Sequence, residues 1–325
     1  MDIKEKLYQM FILGTTGNGY KNALQNGLGG VIFFTNDILN IEQFKQLIDK
    51  CKENSLIPPF LAIDQEGGRV ERTENIYNGK KYLSAKYAFE KGLDFLENQT
   101  NDIAKELKSY GINLNFAPCI DVNTNPNNPI IGERAFSNSP QDVIIAEKIV
   151  SSAYRTHGII PCVKHFPGHG DANADSHLTL PQIDLSLCDM EQTHIKPFAN
   201  CAKEIEMIMV AHLYCTCFEK EEIPTTLSKN ALTYLRDKLN FDGVIISDDM
   251  IMKGVSKYEY SQAIEMGIRA GLNMFIYRNS TTEIIHAINN VAKIAIADKN
   301  LMANINYSFE KIMQLKNKFG IVTQK

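Results

Sequence analysis

At 325 residues, the chain is long enough for one large domain or two ordinary ones. Hydrophobic residues at 44% and charged residues at 22% are the proportions of a globular protein with a full core. The net charge of -4 excludes the basic excess expected of a nucleic-acid binder. The opening MDIKEKLYQMFILG interrupts its apolar residues with Asp2, Lys4, Glu5 and Lys6, so no signal peptide is expected. No run approaches the ~18 apolar residues of a membrane span. Seven cysteines read as buried free thiols of a reducing cytosol.

In chain order, the predicted strands are FILG (11–14), GVIFF (30–34), FLAID (60–64), INLNFAP (112–118), IPCVKH (160–165), MIMVAH (207–212), GVIISDD (243–249) and NMFIY (273–277). Each is brief and apolar, as parallel strands buried on both faces are. Helical patterns with recognisable ends lie between most of them: 101–110 before Gly111, 141–157 before Gly158, 228–239 starting at the N-cap Ser228, and 259–270 before Gly271. This alternation predicts an α/β fold, a single (β/α)8 TIM-type barrel over 1–325. Only about sixteen residues separate the first two strands, so the first units are expected to be irregular. The alternative, a doubly wound open sheet, lacks a GxGxxG after its first strand.

A barrel of this kind carries its active site at the C-terminal ends of the strands. Polar residues concentrate there: Asp64, Asp121, Lys164-His165, His212 and Asp248-Asp249. The stretch KHFPGHGDANADSH (164–177) is a loop by composition, and it crowds histidines and aspartates together. Two chemistries fit it. One is a metal site drawing on His165, His169, Asp171 and His177, although Pro167 and Gly168 disfavour a helix that would pair His165 with His169. The other is a proton-transfer loop, in which Asp175 accepts a hydrogen bond from His177 and tunes it as a general acid/base.

These segments resemble the signature of family 3 glycoside hydrolases of the bacterial β-N-acetylglucosaminidase type. The resemblance rests on KHFPGHGDANADSH followed by LP, AIDQEGGRVER (62–72), NFAPCIDV (115–122), IGERAF (131–136) and FDGVIISDDMIMKG (241–254), all in the expected order. It implies a single-barrel cytoplasmic enzyme of peptidoglycan recycling. Such an enzyme removes N-acetylglucosamine from 1,6-anhydro-N-acetylmuramic acid, usually with the stem peptide attached. It further implies Asp248 as nucleophile, His177 as acid/base and Asp175 as its partner, with Asp64, Arg72, Arg134, Lys164 and His165 binding the sugar. The partner is then a small carbohydrate, with no nucleic acid, membrane, metal or cofactor; the oligomeric state is not legible.

Retaining cleavage would proceed through a glycosyl ester on Asp248, with His177 protonating the leaving oxygen and then activating water. A rival mechanism makes the substrate's acetamido oxygen the nucleophile, with the neighbouring carboxyls of Asp248 and Asp249 orienting it and donating the proton. Asp249 is otherwise a hydrogen-bonded turn residue. Asp64 and Arg72 would serve a sugar or pair with one another. Gly67 and Gly68 are expected to supply positive φ, His169 and Asp171 to hold the loop's shape, and His212 to line the pocket or sit in the core. His157, His194 and His286 are expected at the surface or at helix ends. Other functions weighed are a metal-dependent hydrolase, a non-catalytic sugar-binding barrel and a β-glycosidase of the same family with another sugar preference.

Overall fold

The computed structural model describes residues 1–76, 81–172 and 180–322. Ten strands occur among them: β1 Phe11–Thr16, β2 Gly30–Phe33, β3 Phe60–Ile63, β4 Leu114–Asn115, β5 Ile160–Phe166, β6 Gln182–Ile183, β7 Met207–Val210, β8 Tyr214–Cys215, β9 Val244–Asp249 and β10 Met274–Asn279. All but β6 and β8 close into a barrel in which every neighbouring pair is parallel, with β10 returning to β1. β6 and β8 pair with one another as a small ribbon. The closed ring removes the open-sheet alternative, and all eight predicted strands are in it. They read as unbroken apolar runs because helices cover one face and the barrel interior the other: β2, β3 and β7 are buried at every position.

Two strands differ from expectation. β4 has two regular residues instead of seven, because its register slips ahead of Pro118: Asn113 N bonds Leu61 O, but Phe116 N bonds Ile63 O, three residues on against two. Pairing with β5 continues irregularly, through Cys162 N to Ala117 O at 3.1 Å and Ile120 N to Lys164 O at 2.8 Å. The short first connection does hold a helix, Gly19–Gln25, of seven residues. The helix expected to begin at 101 begins at Leu93 and ends at Gly111, whose φ of 96° closes it in the left-handed region. Helix Pro140–Thr156 is capped by Ser139, and proline takes its first position. The stretch expected as one helix over 228–239 is an α-helical turn, Lys229–Thr233, running into a π-helical one, Tyr234–Lys238. No described helix is long and apolar enough to cross a membrane. Five cysteines are buried, Cys217 is partly so, and Cys188 is exposed.

At the end of the barrel opposite the strand C-termini, Lys316 on helix Lys299–Lys318 is fully buried. Its ammonium donates to Gln9 Oε1 at 2.8 Å and Pro58 O at 2.9 Å and sits 4.9 Å from the Phe60 ring centre. No carboxylate faces it among the described residues, and burial holds its pKa well below the ordinary 10.5. The unfolded chain therefore binds the proton more tightly than the folded one. Stability should climb as pH rises from the depressed value towards 10.5. Thermal melts of the wild type between pH 7 and 10 are expected to show that climb, and Lys316→Met should flatten it. An equal slope in both proteins would refute the assignment.

Candidate active site

The C-terminal strand ends surround a cavity of about 360 Å³, whose wall includes Asp64, Arg72, Arg134, Lys164, His165 and Asp248. All six described residues expected at the site meet there. Asp175 and His177 lie outside the described residues. A cleft of about 600 Å³ opens near the strand N-termini, around Val244 and Leu315, and holds none of the strand-end groups.

The cavity floor is an ion-pair network. β5 runs straight into Lys164, which is 2% exposed and reaches Asp64 Oδ1 at 2.8 Å and Glu66 Oε1 at 2.5 Å. Arg134, on the short turn Gly132–Arg134, grips Glu66 from the other side: Nε to Oε2 and Nη2 to Oε1, both 2.9 Å. Burial pushes the Glu66 carboxyl up, but the two cations outweigh it and hold it far below its ordinary value. Lys164 is raised to the same end: burial opposes its charge, but Asp64 and Glu66 overcome that.

Glu66 reaches this position because the chain doubles back after it. Gly67 and Gly68 take φ of 91° and 60°, and Glu66 N donates to Val70 O at 2.9 Å. A Cβ on Gly67 would lie 2.3 Å from Leu83 O, so only glycine fits. The turn brings back Arg72, whose guanidinium lies 5.7 Å from the Phe34 ring centre. Asp64 pairs with Lys164 rather than with Arg72, so the Asp64–Arg72 ion pair is not formed.

Asp121 is fully buried and organises the start of the 164–177 loop. It accepts from His165 Nδ1 at 2.7 Å, His165 N at 3.2 Å and His169 N at 2.6 Å. A carboxylate only accepts, so His165 carries its proton on Nδ1 and turns Nε2 to the cavity, 3.4 Å from Arg134 Nη2. His169 fastens the loop through its backbone, and its ring also lines the cavity. Burial, then the nearby His165, lowers the His169 ring to about 4. Asp171 accepts from Thr124 Oγ1 at 3.1 Å, a loop-shaping bond.

Asp248 and Asp249 end β9 and have different surroundings. Burial raises Asp248, but His165, His212, the Asp249 N–H and Lys164 together bring it below its ordinary 3.8. Its Oδ1 accepts that N–H at 2.7 Å. Asp249 is held above 3.8 by burial, despite its ion pair with Arg278. It is thus more than a turn residue, although it also accepts from Ile251 N at 3.2 Å. His212 proves to be a core histidine, bonded to Thr226 Oγ1 at 2.7 Å and to Asp249 O at 3.0 Å.

His194 lies between helices Leu187–Gln192 and Lys196–Cys201, a helix-end position as expected, but it is buried, with its Cβ packed under Gly168. The loop that covers it comes before its helix pair in the chain, so local pattern gives no sign of the burial. His157 caps its helix and His286 is exposed, as expected.

Cys119 Sγ, Asp121 and His165 place ligand-type atoms within 4.8 Å of one another. The cluster is already satisfied by its own protons: Cys119 donates to Asp121 Oδ2 at 3.2 Å, and burial with the Asp121 charge keeps it a thiol. To hold a metal it would first have to shed them.

The profile of the glycosyl hydrolase family 3 N terminal domain matches residues 2–315. A β-hexosaminidase of Methylococcus capsulatus is 34% identical over 271 residues, 81% of this chain and 80% of its own. β-Hexosaminidase A of Pseudoalteromonas piscicida is 35% identical over 253 residues, 71% of this chain but 42% of that protein. The solved glycoside hydrolase family 3 β-N-acetylglucosaminidase from Paenibacillus sp. str. FPU-7 superposes with a TM-score of 0.92 at 27% identity, covering 100% of this chain and 65% of that one. The chain thus spans less than two thirds of the length of two of these three relatives.

Proposed function

Since the chain belongs to glycoside hydrolase family 3, we propose that it is a retaining β-N-acetylglucosaminidase. In this reading Asp248 is its nucleophile and His177, backed by Asp175, its acid/base. The observation that carries the reading is an ionised strand-end carboxylate, Asp248, facing a cavity with Asp64, Arg134, Lys164 and His165 on its walls.

A terminal sugar fits the floor, where vicinal hydroxyls meet the Asp64 carboxylate, the guanidinium groups of Arg72 and Arg134, and Lys164. The backbone bond to Oδ1 orients Asp248 and leaves Oδ2 to attack the anomeric carbon. As that bond forms, the glycosidic C–O bond breaks and His177 gives its proton to the departing oxygen. The neutral imidazole then takes a proton from water, which displaces Asp248 from the sugar. The substrate is N-acetylglucosamine linked to 1,6-anhydro-N-acetylmuramic acid in muropeptides, and the setting is cytoplasmic peptidoglycan recycling. Support for this comes from the segments shared with that type of family 3 enzyme and from the β-hexosaminidase relatives. Asp249 is tied to Arg278 and to Ile251 N, which favours Asp248 as the attacking group over a carboxyl pair that orients the acetamido oxygen and donates the proton.

The test is mass spectrometry after incubation with a slow 2- or 5-fluoro N-acetylhexosaminyl inhibitor. A covalent adduct on the peptide containing Asp248 is expected. An unlabelled protein that still turns over substrate, or a first product of inverted configuration, sinks the reading.

A further inference from the structure

The segment that follows β4 runs from Asp121 to the turn Gly132–Arg134, and on its way it lies against the first part of the 164–177 loop. Each residue from His169 to Ala172 is bonded to it. His169 N donates to Asp121 Oδ1 at 2.6 Å, and His169 O accepts from Asn128 Nδ2 at 2.8 Å. Gly170 O accepts from Asn125 N at 3.2 Å, Asp171 Oδ1 from Thr124 Oγ1 at 3.1 Å, and Ala172 O from Asn125 Nδ2 at 3.3 Å. A Cβ on Gly170 would stand 1.8 Å from Val122 O, so the two stretches meet backbone to backbone.

Asn128 sits at the centre of this contact and is buried. Both ends of its amide bond main chain. Nδ2 holds the His169 carbonyl, while Oδ1 accepts from Ile130 N at 2.9 Å and Ile131 N at 2.8 Å, the residues that lead into the Arg134 turn. One planar side chain thus sets the spacing between the arm that carries Arg134 and the stub 169–172. His177 follows that stub by five positions in the chain. We propose that Asn128, with Thr124 beside it, positions the acid/base: the two residues fix the stub from which the chain continues to Asp175 and His177. The inference rests on the glycosidase reading above, in which His177 protonates the leaving oxygen, and deepens it. Proton transfer needs a short, aligned path, and a displacement of about 1 Å from a change outside the chemistry costs about 100-fold in rate.

Asn128→Asp separates the two arms. A carboxylate still accepts from Ile130 N and Ile131 N, so the Arg134 turn keeps its anchor, but it has no hydrogen to give to His169 O. The experiment measures kcat/KM with phenyl and 2,4-dinitrophenyl N-acetyl-β-glucosaminides. Phenol leaves poorly and needs the proton, whereas dinitrophenolate leaves unaided. The variant should lose about 10–100-fold on the phenyl substrate, the value of an acceptor left unmet, and less than about 3-fold on the dinitrophenyl one. Inhibition by free N-acetylglucosamine, which reads the floor, should be unchanged. In a His177→Ala background, Asn128→Asp should cost nothing further on the phenyl substrate, because residues acting through one step are not additive. Equal losses on both substrates, or full additivity with His177→Ala, would leave Asn128 as a support of the fold and overturn the proposal. So would weakened N-acetylglucosamine inhibition without leaving-group selectivity, which assigns Asn128 to the Arg134 turn alone. Thr124→Ala is the second variant. Thr124 is exposed, so the change spares the core, and release of Asp171 should give the same selectivity in smaller degree. If Asn128→Asp does not fold, Thr124→Ala decides, and selectivity absent there overturns the proposal. His177→Ala alone should itself lose mainly on the phenyl substrate; the same loss on both would instead sink the underlying acid/base reading.

Discussion

Asp248→Asn is expected to lower kcat by roughly 10⁴- to 10⁶-fold, the loss seen when a covalent nucleophile is removed. The substitution is nearly isosteric, and an asparagine oxygen can still accept the Asp249 N–H, so circular dichroism and the melting curve should stay close to wild type. The shorter Asp248→Ala variant gives a sharper result. It leaves room beside the anomeric carbon, and azide with an activated aryl N-acetylglucosaminide should then yield the α-glycosyl azide. That product requires the azide to approach from the face that Asp248 occupied. Appreciable activity in Asp248→Asn would remove the residue from the mechanism.

The second large effect is expected at Glu66, among the described residues the one carboxylate gripped by both Arg134 and Lys164. Glu66→Gln leaves two buried cations facing a neutral amide. Breaking a buried pair from one side costs about 3–5 kcal/mol, which for a chain of this size is on the order of 10 °C in the melting midpoint. Sugar affinity should fall as well, because Arg134 loses the carboxylate that fixes it and Lys164 keeps only Asp64. The pH dependence has a definite sign. The Glu66 carboxyl is depressed in the folded state, so its contribution is complete above the unfolded value of about 4.3 and is lost as pH falls towards the folded one. Asp121, depressed through His165 and His169 against the opposing effect of burial, adds to the same acid sensitivity. Urea melts from pH 7 down to 3 should therefore show a steep loss for the wild type and a shallower one for Glu66→Gln. Parallel curves would mean that Glu66 is not the group responsible.

The barrel was legible because strands buried on both faces leave unbroken apolar runs, and helix ends leave glycines such as Gly111 and Gly271. The cavity wall was legible for a related reason: a charge directly after an apolar strand stands out, as Asp64, Lys164 and Asp248 do. The same rule would have picked out Arg278, the residue that follows MFIY on β10. Glu66 gave no such signal. It sits in a loop beyond the strand end, and its partner Arg134 is 68 residues away in sequence. Its role exists only once β3 and the turn at 132–134 are brought together. Asp121 was visible as a polar strand-end residue, but its grip on His165 and His169 depends on β4 and β5 being neighbours. The length of β4 was misjudged because an apolar run does not reveal a slip in register against the neighbouring strands.

The ion-pair floor has one more implication. Asp64, Glu66 and Asp248 bring three carboxylates to the floor, held by Lys164, Arg134 and the Asp249 N–H. Each of these groups is clamped by a neighbour before any ligand arrives. The field is therefore oriented in advance, and positive charge growing on the sugar ring would be met without waiting for water dipoles to turn, so the reorganisation was completed when the protein folded.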